Sequence, residues 1–235
     1  IDVPVIFNGQ NNDMANMTIV AQTINADSVT NAGNLLDIST SAANGGNIVI
    51  GPDDVSDNPD TVLTGESGST TKVVSNQTLD INGSVSNSGN MTLNGGVVNI
   101  VSVSNTNNGD LDIVAPTNKT GQINISGNVT NESGTTDING KNLSIDGILT
   151  NASGTTTIQA SDKDNGSLTI GTIFANGGTL NVNALIGSVN VTNGITIADN
   201  ALLNLGTATN KLVAGGTISI AGNFTMGDTV PGWFH

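Results

Sequence analysis

The chain has 235 residues, with 30 glycines, 2% aromatic and 10% charged residues, and neither cysteine nor tyrosine. Its 19 acids face five bases, all lysine, for a formal charge of −14, so the basic stripe that nucleic acid requires is missing and anionic membrane surfaces are disfavoured. The absence of cysteine removes disulfides, thiolate metal sites and cysteine nucleophiles together, while 36% hydrophobic residues still allow a core of small β-branched side chains.

Residues 1–16 fit the pattern of the remaining chain poorly and read as a cap or leading turn. Residues 51–71 concentrate Pro52, Pro59, Asp53, Asp54, Asp57, Asp60 and Glu66 and read as an acidic loop excursion, because the same repeat grammar resumes at Val73. From there short alternations follow one another: Leu79-Asp80-Ile81-Asn82-Gly83, Met91-Thr92-Leu93-Asn94-Gly95, Ile123-Asn124-Ile125-Ser126-Gly127, Leu168-Thr169-Ile170-Gly171, Leu180-Asn181-Val182, Leu203-Asn204-Leu205-Gly206 and Ile218-Ser219-Ile220. Period-2 alternation places the aliphatic residues on one face and Asp, Thr, Asn and Ser on the other, as a half-buried strand requires.

A second element repeats beside the first: Ser84-Val85-Ser86-Asn87-Ser88-Gly89, Asn128-Val129-Thr130-Asn131-Glu132-Ser133-Gly134, Ile148-Leu149-Thr150-Asn151-Ala152-Ser153-Gly154 and Ile173-Phe174-Ala175-Asn176-Gly177-Gly178. The spacing of their glycines implies a period of about 20–25 residues, within the range of solenoids. No stretch carries helical periodicity, and no run approaches the roughly 20 apolar residues of a membrane helix. The start at Ile1-Asp2-Val3-Pro4 and the end at Trp233-Phe234-His235 read as those of a fragment or a processed chain.

The expected architecture is therefore all-β: a single segment over 1–235 forming a right-handed parallel β-helix of about 9–11 rungs. Ile81, Leu93, Ile125, Ile145, Ile170, Val182 and Ile197 are expected to point inward. Repeated Asn in equivalent turns, such as Asn131 and Asn151, is expected to stack as an amide ladder along the axis.

Units of the form T-L-x-I-x-G-x-V-x-N-x-G, at Thr78 to Gly89, Gln122 to Gly134, Asn142 to Gly154 and Thr179 to Asn193, resemble the passenger regions of Gram-negative surface adhesins. These are the filamentous-haemagglutinin and autotransporter families. The resemblance implies a non-catalytic, fibre-like, adhesive scaffold at the bacterial cell surface or outside the cell. Its partners would be a host or matrix surface molecule, or other copies joined end to end; nucleic acid and direct membrane insertion are not expected. Two alternatives stand beside it: a self-assembling surface-layer or filament subunit, and a polysaccharide-active enzyme on the same fold.

Candidate sites are few. Asp53, Asp54, Asp57 and Asp60 supply the carboxylate oxygens that a calcium ion wants, but their spacing matches neither the EF-hand loop nor the glycine-rich calcium repeat, and a solvated acidic loop is the competing reading. Asp162-Lys163-Asp164-Asn165 is a weaker version of the same pattern. Asp80, Asp112 and Asp137 occupy equivalent outward slots and would be the carboxyl pair of a glycosidase if adjacent rungs brought two of them together. No arginine, upstream histidine or aromatic sugar platform accompanies them, and His235, the one histidine, stands at the last position, so no base for a Ser-His-Asp arrangement is at hand. Trp233 and Phe234 would cap a last rung or dock on a following segment. No cofactor is expected. Thirteen Asn-x-Ser/Thr sequons run from Asn16 to Asn223; alternation alone places Asn and Ser/Thr two apart on one polar face, and glycosylation is the functional alternative.

Overall fold

A computed structural model describes residues 5–7, 16–41, 46–52, 60–116, 121–160, 166–184, 188–207 and 212–227. All their regular structure is β, and every strand pairing is parallel. One sheet has ten strands, from Asn16–Ala21 through Leu35–Thr40, Thr70–Val74, Asn90–Asn94, Asp110–Val114, Thr135–Gly140, Thr155–Ala160, Gly178–Ala184 and Ala201–Thr207 to Asn223–Gly227. Eight of those ten have a neighbour on either side. The other sheet has 15 strands and is folded along its length, so that it supplies two faces of the coil to the first sheet's one.

Thr78–Asn87, Val97–Asn105, Asn142–Asn151 and Ser167–Ala175 pass across that fold as single strands. Other turns break it into two pieces, as in Gln122–Ile125 followed by Val129–Asn131. Register shifts at Ile100/Ser102 and Ile145/Ile148 mark where the long strands bend. The chain is thus a three-faced parallel β-solenoid. With about 4.8 Å between paired strands, a ten-strand stack is about 43 Å long.

Alternation explains the core. Ile81, Leu93, Ile125, Ile145, Ile170, Val182 and Ile197 are all buried, and registers such as Ile81 beside Ile100, and Ile138 beside Ile158 and then Val182, stack them in columns along the axis. A narrow three-sided interior holds one aliphatic side chain per position per rung, which accounts for the scarcity of rings.

Successive ladder asparagines are 18, 26 and 20 residues apart, so turn length varies while the cross-section does not. The variation is absorbed at corners. Gly134, Gly154 and Gly178 form a corner column whose length does not vary, with φ of +90°, +75° and +64°. A Cβ on any of them would lie 2.2 Å from the carbonyl oxygen of the glycine one turn earlier, so both the left-handed backbone and the close approach demand glycine.

The acidic excursion is narrower than 51–71. Thr61–Gly65 is a strand paired with 84–87, and Thr70 opens the next strand of the ten-strand sheet. Residues such as Val62 and Leu63 are buried there; the cluster of acids obscured the apolar core of this strand in the sequence. Within residues 1–16, Val5–Phe7 pairs in parallel with Val29–Asn31, so a strand already belongs to the stack before Asn16.

Candidate functional site

The most developed polar structure in the molecule is inside it. Asn31, Asn87, Asn105, Asn131 and Asn151 are fully buried, each ending a strand just before the chain turns into the ten-strand sheet. They face inward for the reason their neighbours do: in Val85-Ser86-Asn87 or Val103-Ser104-Asn105 the asparagine lies two residues beyond an inward valine. The amide Nδ2 of Asn87 donates to Oδ1 of Asn105 (2.9 Å), Asn105 to Asn131 (3.3 Å) and Asn131 to Asn151 (3.1 Å).

The same amides close the corner. Asn105 Nδ2 also reaches the carbonyl oxygens of Gly109 and Thr135, both at 2.8 Å, and the Thr136 hydroxyl oxygen at 3.1 Å. Thr156 donates its hydroxyl to Asn151 Oδ1 at 2.8 Å, and Asn31 Nδ2 donates to Thr71 Oγ1 at 3.0 Å. Buried threonines thus answer the amides where the inward column of the next strand begins. Asn131 and Asn151 stack as the sequence implied. Asn87, from the equivalent turn, and Asn105, which the sequence analysis does not name, are in the same ladder, and the recurring aliphatic-x-Asn spacing is the signal that marks them. Burial also removes Asn131 and Asn151 from the sequons open to modification in the folded chain.

Outside, polar side chains also bond from rung to rung. Asn99 donates to Asp80 (2.6 Å) and Asn124 to Asn99 (2.7 Å) on one face. On the ten-strand sheet, Asn204 donates to Asn181 (2.8 Å) and Thr225 donates to Asn204. Lys72 pairs with Asp37 at 3.7 Å on neighbouring strands of that sheet, with the lysine exposed and the aspartate half-buried.

The three candidate carboxylates divide between faces. Asp112 and Asp137 are register neighbours in the ten-strand sheet. Asp80 belongs to the other sheet, beside Asn99. The three therefore do not share a slot, contrary to expectation: alternation distinguishes inward from outward but not which of three faces is outward. Burial, together with the like charges of Asp110 and Asp137, raises the Asp112 carboxyl above the usual range.

Asp60 is exposed, and its carbonyl oxygen accepts from the Ser84 amide at 2.9 Å. Asp53, Asp54 and Asp57 lie outside the described residues, as do Asp162, Lys163, Asp164, Asn165, Trp233, Phe234 and His235. Among the described residues no group of three or more His, Cys, Asp or Glu side chains is placed to hold a metal ion. Among the described residues no helix is long and apolar enough to cross a membrane.

Among the described residues, shallow, open depressions mark the surface at two places that concern the candidate residues. One is lined by serine, glycine and asparagine at the turns around Ser69, Asn90 and Asn108. The other lies over the bend of the folded sheet, where Asn82, Asn99, Asn124 and Ser126 accompany Asp146. In the second, Ser126 and Asp146 both line the depression, and the Asp146 carboxylate accepts from the Ser144 hydroxyl at 2.6 Å. Comparison with protein families, with curated proteins and with solved structures finds no match to this chain.

Proposed function

We propose that the chain is a non-catalytic structural and adhesive module of a bacterial surface or secreted protein of the filamentous-haemagglutinin or autotransporter-passenger type. One observation carries this reading: successive turns repeat the same three faces around a continuous aliphatic core and a buried amide ladder. A chain invested in this way is a stiff rod with repetitive polar faces. Its partners are then host or matrix surface molecules, held by those faces and by the loops between strands. The test is binding of the purified chain to cells and matrix-coated surfaces, with fractionation of the source cell. A protein confined to the cytoplasm that binds neither surface overturns the proposal.

The filament-subunit alternative would act at the last described turn. In the last described turn, the inward positions Ile218, Ile220 and Met226 are 44%, 50% and 37% exposed, although their register partners Ile195, Ile197 and Leu205 are buried. Main-chain edges and apolar surface at this turn would accept a further rung, either from a following segment of a longer chain or from another copy. Sedimentation at rising concentration tests it: growth that Ile220→Asp abolishes supports the subunit reading, and a strict monomer refutes it.

The enzyme alternative rests on Asp112 and Asp137 as a carboxyl pair. Uronate and neutral polysaccharides are expected to pass unchanged, and turnover lost in Asp112→Asn or Asp137→Asn would replace the scaffold reading.

A further inference from the structure

We infer that, among the Asn-Gly pairs whose residues are described, Asn193-Gly194 is the site at which the folded chain modifies itself, by deamidation through a succinimide. The reaction needs an asparagine side chain free to approach the main-chain nitrogen of the next residue, and that nitrogen must be free to attack. Glycine in the second position favours it, because no Cβ obstructs the approach.

Six Asn-Gly pairs have both residues described: those beginning at Asn82, Asn94, Asn108, Asn139, Asn176 and Asn193. Five are restrained. Gly83 and Gly140 are buried within strands. The amides of Gly95, Gly109 and Gly177 donate to Val114, Thr106 and Asn151 carbonyl oxygens at 3.2, 2.9 and 3.2 Å.

Asn193 differs on each count. Its side chain is exposed, tied only by a 3.3 Å bond from Nδ2 to the Thr172 hydroxyl. Gly194 lies outside any strand, and its amide makes no hydrogen bond to a described residue, while its carbonyl accepts from Ile173 at 3.0 Å.

The fold itself imposes the glycine. Gly147, Gly171 and Gly194 follow one another along the bend of the folded sheet. A Cβ on Gly194 would stand 2.8 Å from the Thr217 carbonyl oxygen, and one on Gly171 would stand 2.2 Å from that of Asp146. The preceding residues are Asp146, Ile170 and Asn193, so in this column an asparagine precedes the glycine only at Asn193. At Asp146-Gly147 the glycine amide is held by the Gly127 carbonyl at 3.1 Å.

The step balances without an added reagent other than water. The Gly194 nitrogen loses its proton and bonds to Asn193 Cγ, the side-chain nitrogen leaves as ammonia, and water opens the ring at either carbonyl to give aspartate or isoaspartate. Isoaspartate adds a methylene to the main chain immediately before Ile195–Ile197, the strand that pairs with Ile218–Ile220, so chemical ageing would loosen the last described turn first.

The test is peptide mapping of the intact, folded chain through a time course at mildly alkaline pH, with isoaspartate read by methyltransferase labelling. Asn193 is expected to convert about tenfold faster than any of the other five, the factor that a local opening cost of about 1.4 kcal/mol imposes on the restrained pairs. Thr172→Val should accelerate conversion by freeing the side chain, Asn193→Gln should suppress it, and urea should erase the selectivity. Another of the six pairs leading in the folded chain, or a ranking unchanged by urea, overturns the inference.

Discussion

Asn105→Ala removes the most heavily used amide in the core. The two Nδ2 hydrogens of Asn105 are shared among four acceptors at 2.8 to 3.3 Å, and its Oδ1 receives Asn87. Three full bonds at about 1 kcal/mol each are lost. The stranded partners are partly rescued: the Gly109 carbonyl still accepts from Thr135 at 3.0 Å, and Asn87 Nδ2 still reaches Gly89 and Asp110 carbonyls at 3.0 and 3.1 Å. Adding the small cavity gives a destabilisation of about 4 kcal/mol. The exposed ladder supplies the control, since Asn204→Ala sacrifices similar bonds in contact with water and should cost less than about 1 kcal/mol. Urea unfolding followed by far-UV circular dichroism measures both. Equal losses for the two variants, or a loss below about 1.5 kcal/mol for Asn105→Ala, would refute the claim that burial is what makes the inner ladder matter.

The raised Asp112 carboxyl makes a prediction about pH. Its folded-state pKa lies above the unfolded value, so the folded chain holds that proton more tightly, and its contribution to stability improves as pH falls through the raised pKa and is lost above it. Asp112→Asn should therefore stabilise the chain near neutrality and flatten that limb of the stability profile; a neutral or destabilising effect at pH 7 would contradict the assignment. Gly134→Ala drives a Cβ into the Gly109 carbonyl and should unfold the corner, whereas Gly68→Ala, at φ +82° with open space around it, should cost only about 1–2 kcal/mol. Thermal melts of the two variants distinguish collision from backbone strain. Calorimetric titration with calcium is expected to show no saturable heat, and a one-site isotherm lost in Asp60→Asn would establish the calcium reading of the acidic segment.

Most of the fold was legible because a strand's period is so short. In Leu79-Asp80-Ile81 or Leu180-Asn181-Val182, three residues suffice to say which side chains are buried, and the glycine-marked spacing says how often the chain returns. What alternation cannot encode is the identity of a face: Asp80 and Asp112 have the same local pattern and lie on different sheets. Polarity obscures a second feature: Asn87 stands in an Asn-Ser-Gly turn sequence and Asn105 in a polar run, yet the same alternation carries both inward. The acids between Gly51 and Thr71 similarly masked the strand Thr61–Gly65, whose core residues are only Val62 and Leu63. The reactive corner at Asn193 depends on which glycine amide lacks a partner, a property of the neighbouring turns that no local pattern expresses.

Each turn of the solenoid is bonded only to the turn before and the turn after it, which gives the molecule a distinctive response to force. A load drawing its two ends apart along the coil peels rungs from an exposed end, because the hydrogen bonds of one rung fail before those of the next are loaded. Every rung so released lengthens the chain by about 60–90 Å, the extended reach of the 18 to 26 residues between successive ladder positions. A coil built this way is expected to give way in steps under such a load, holding most of its length folded while the outermost turns open.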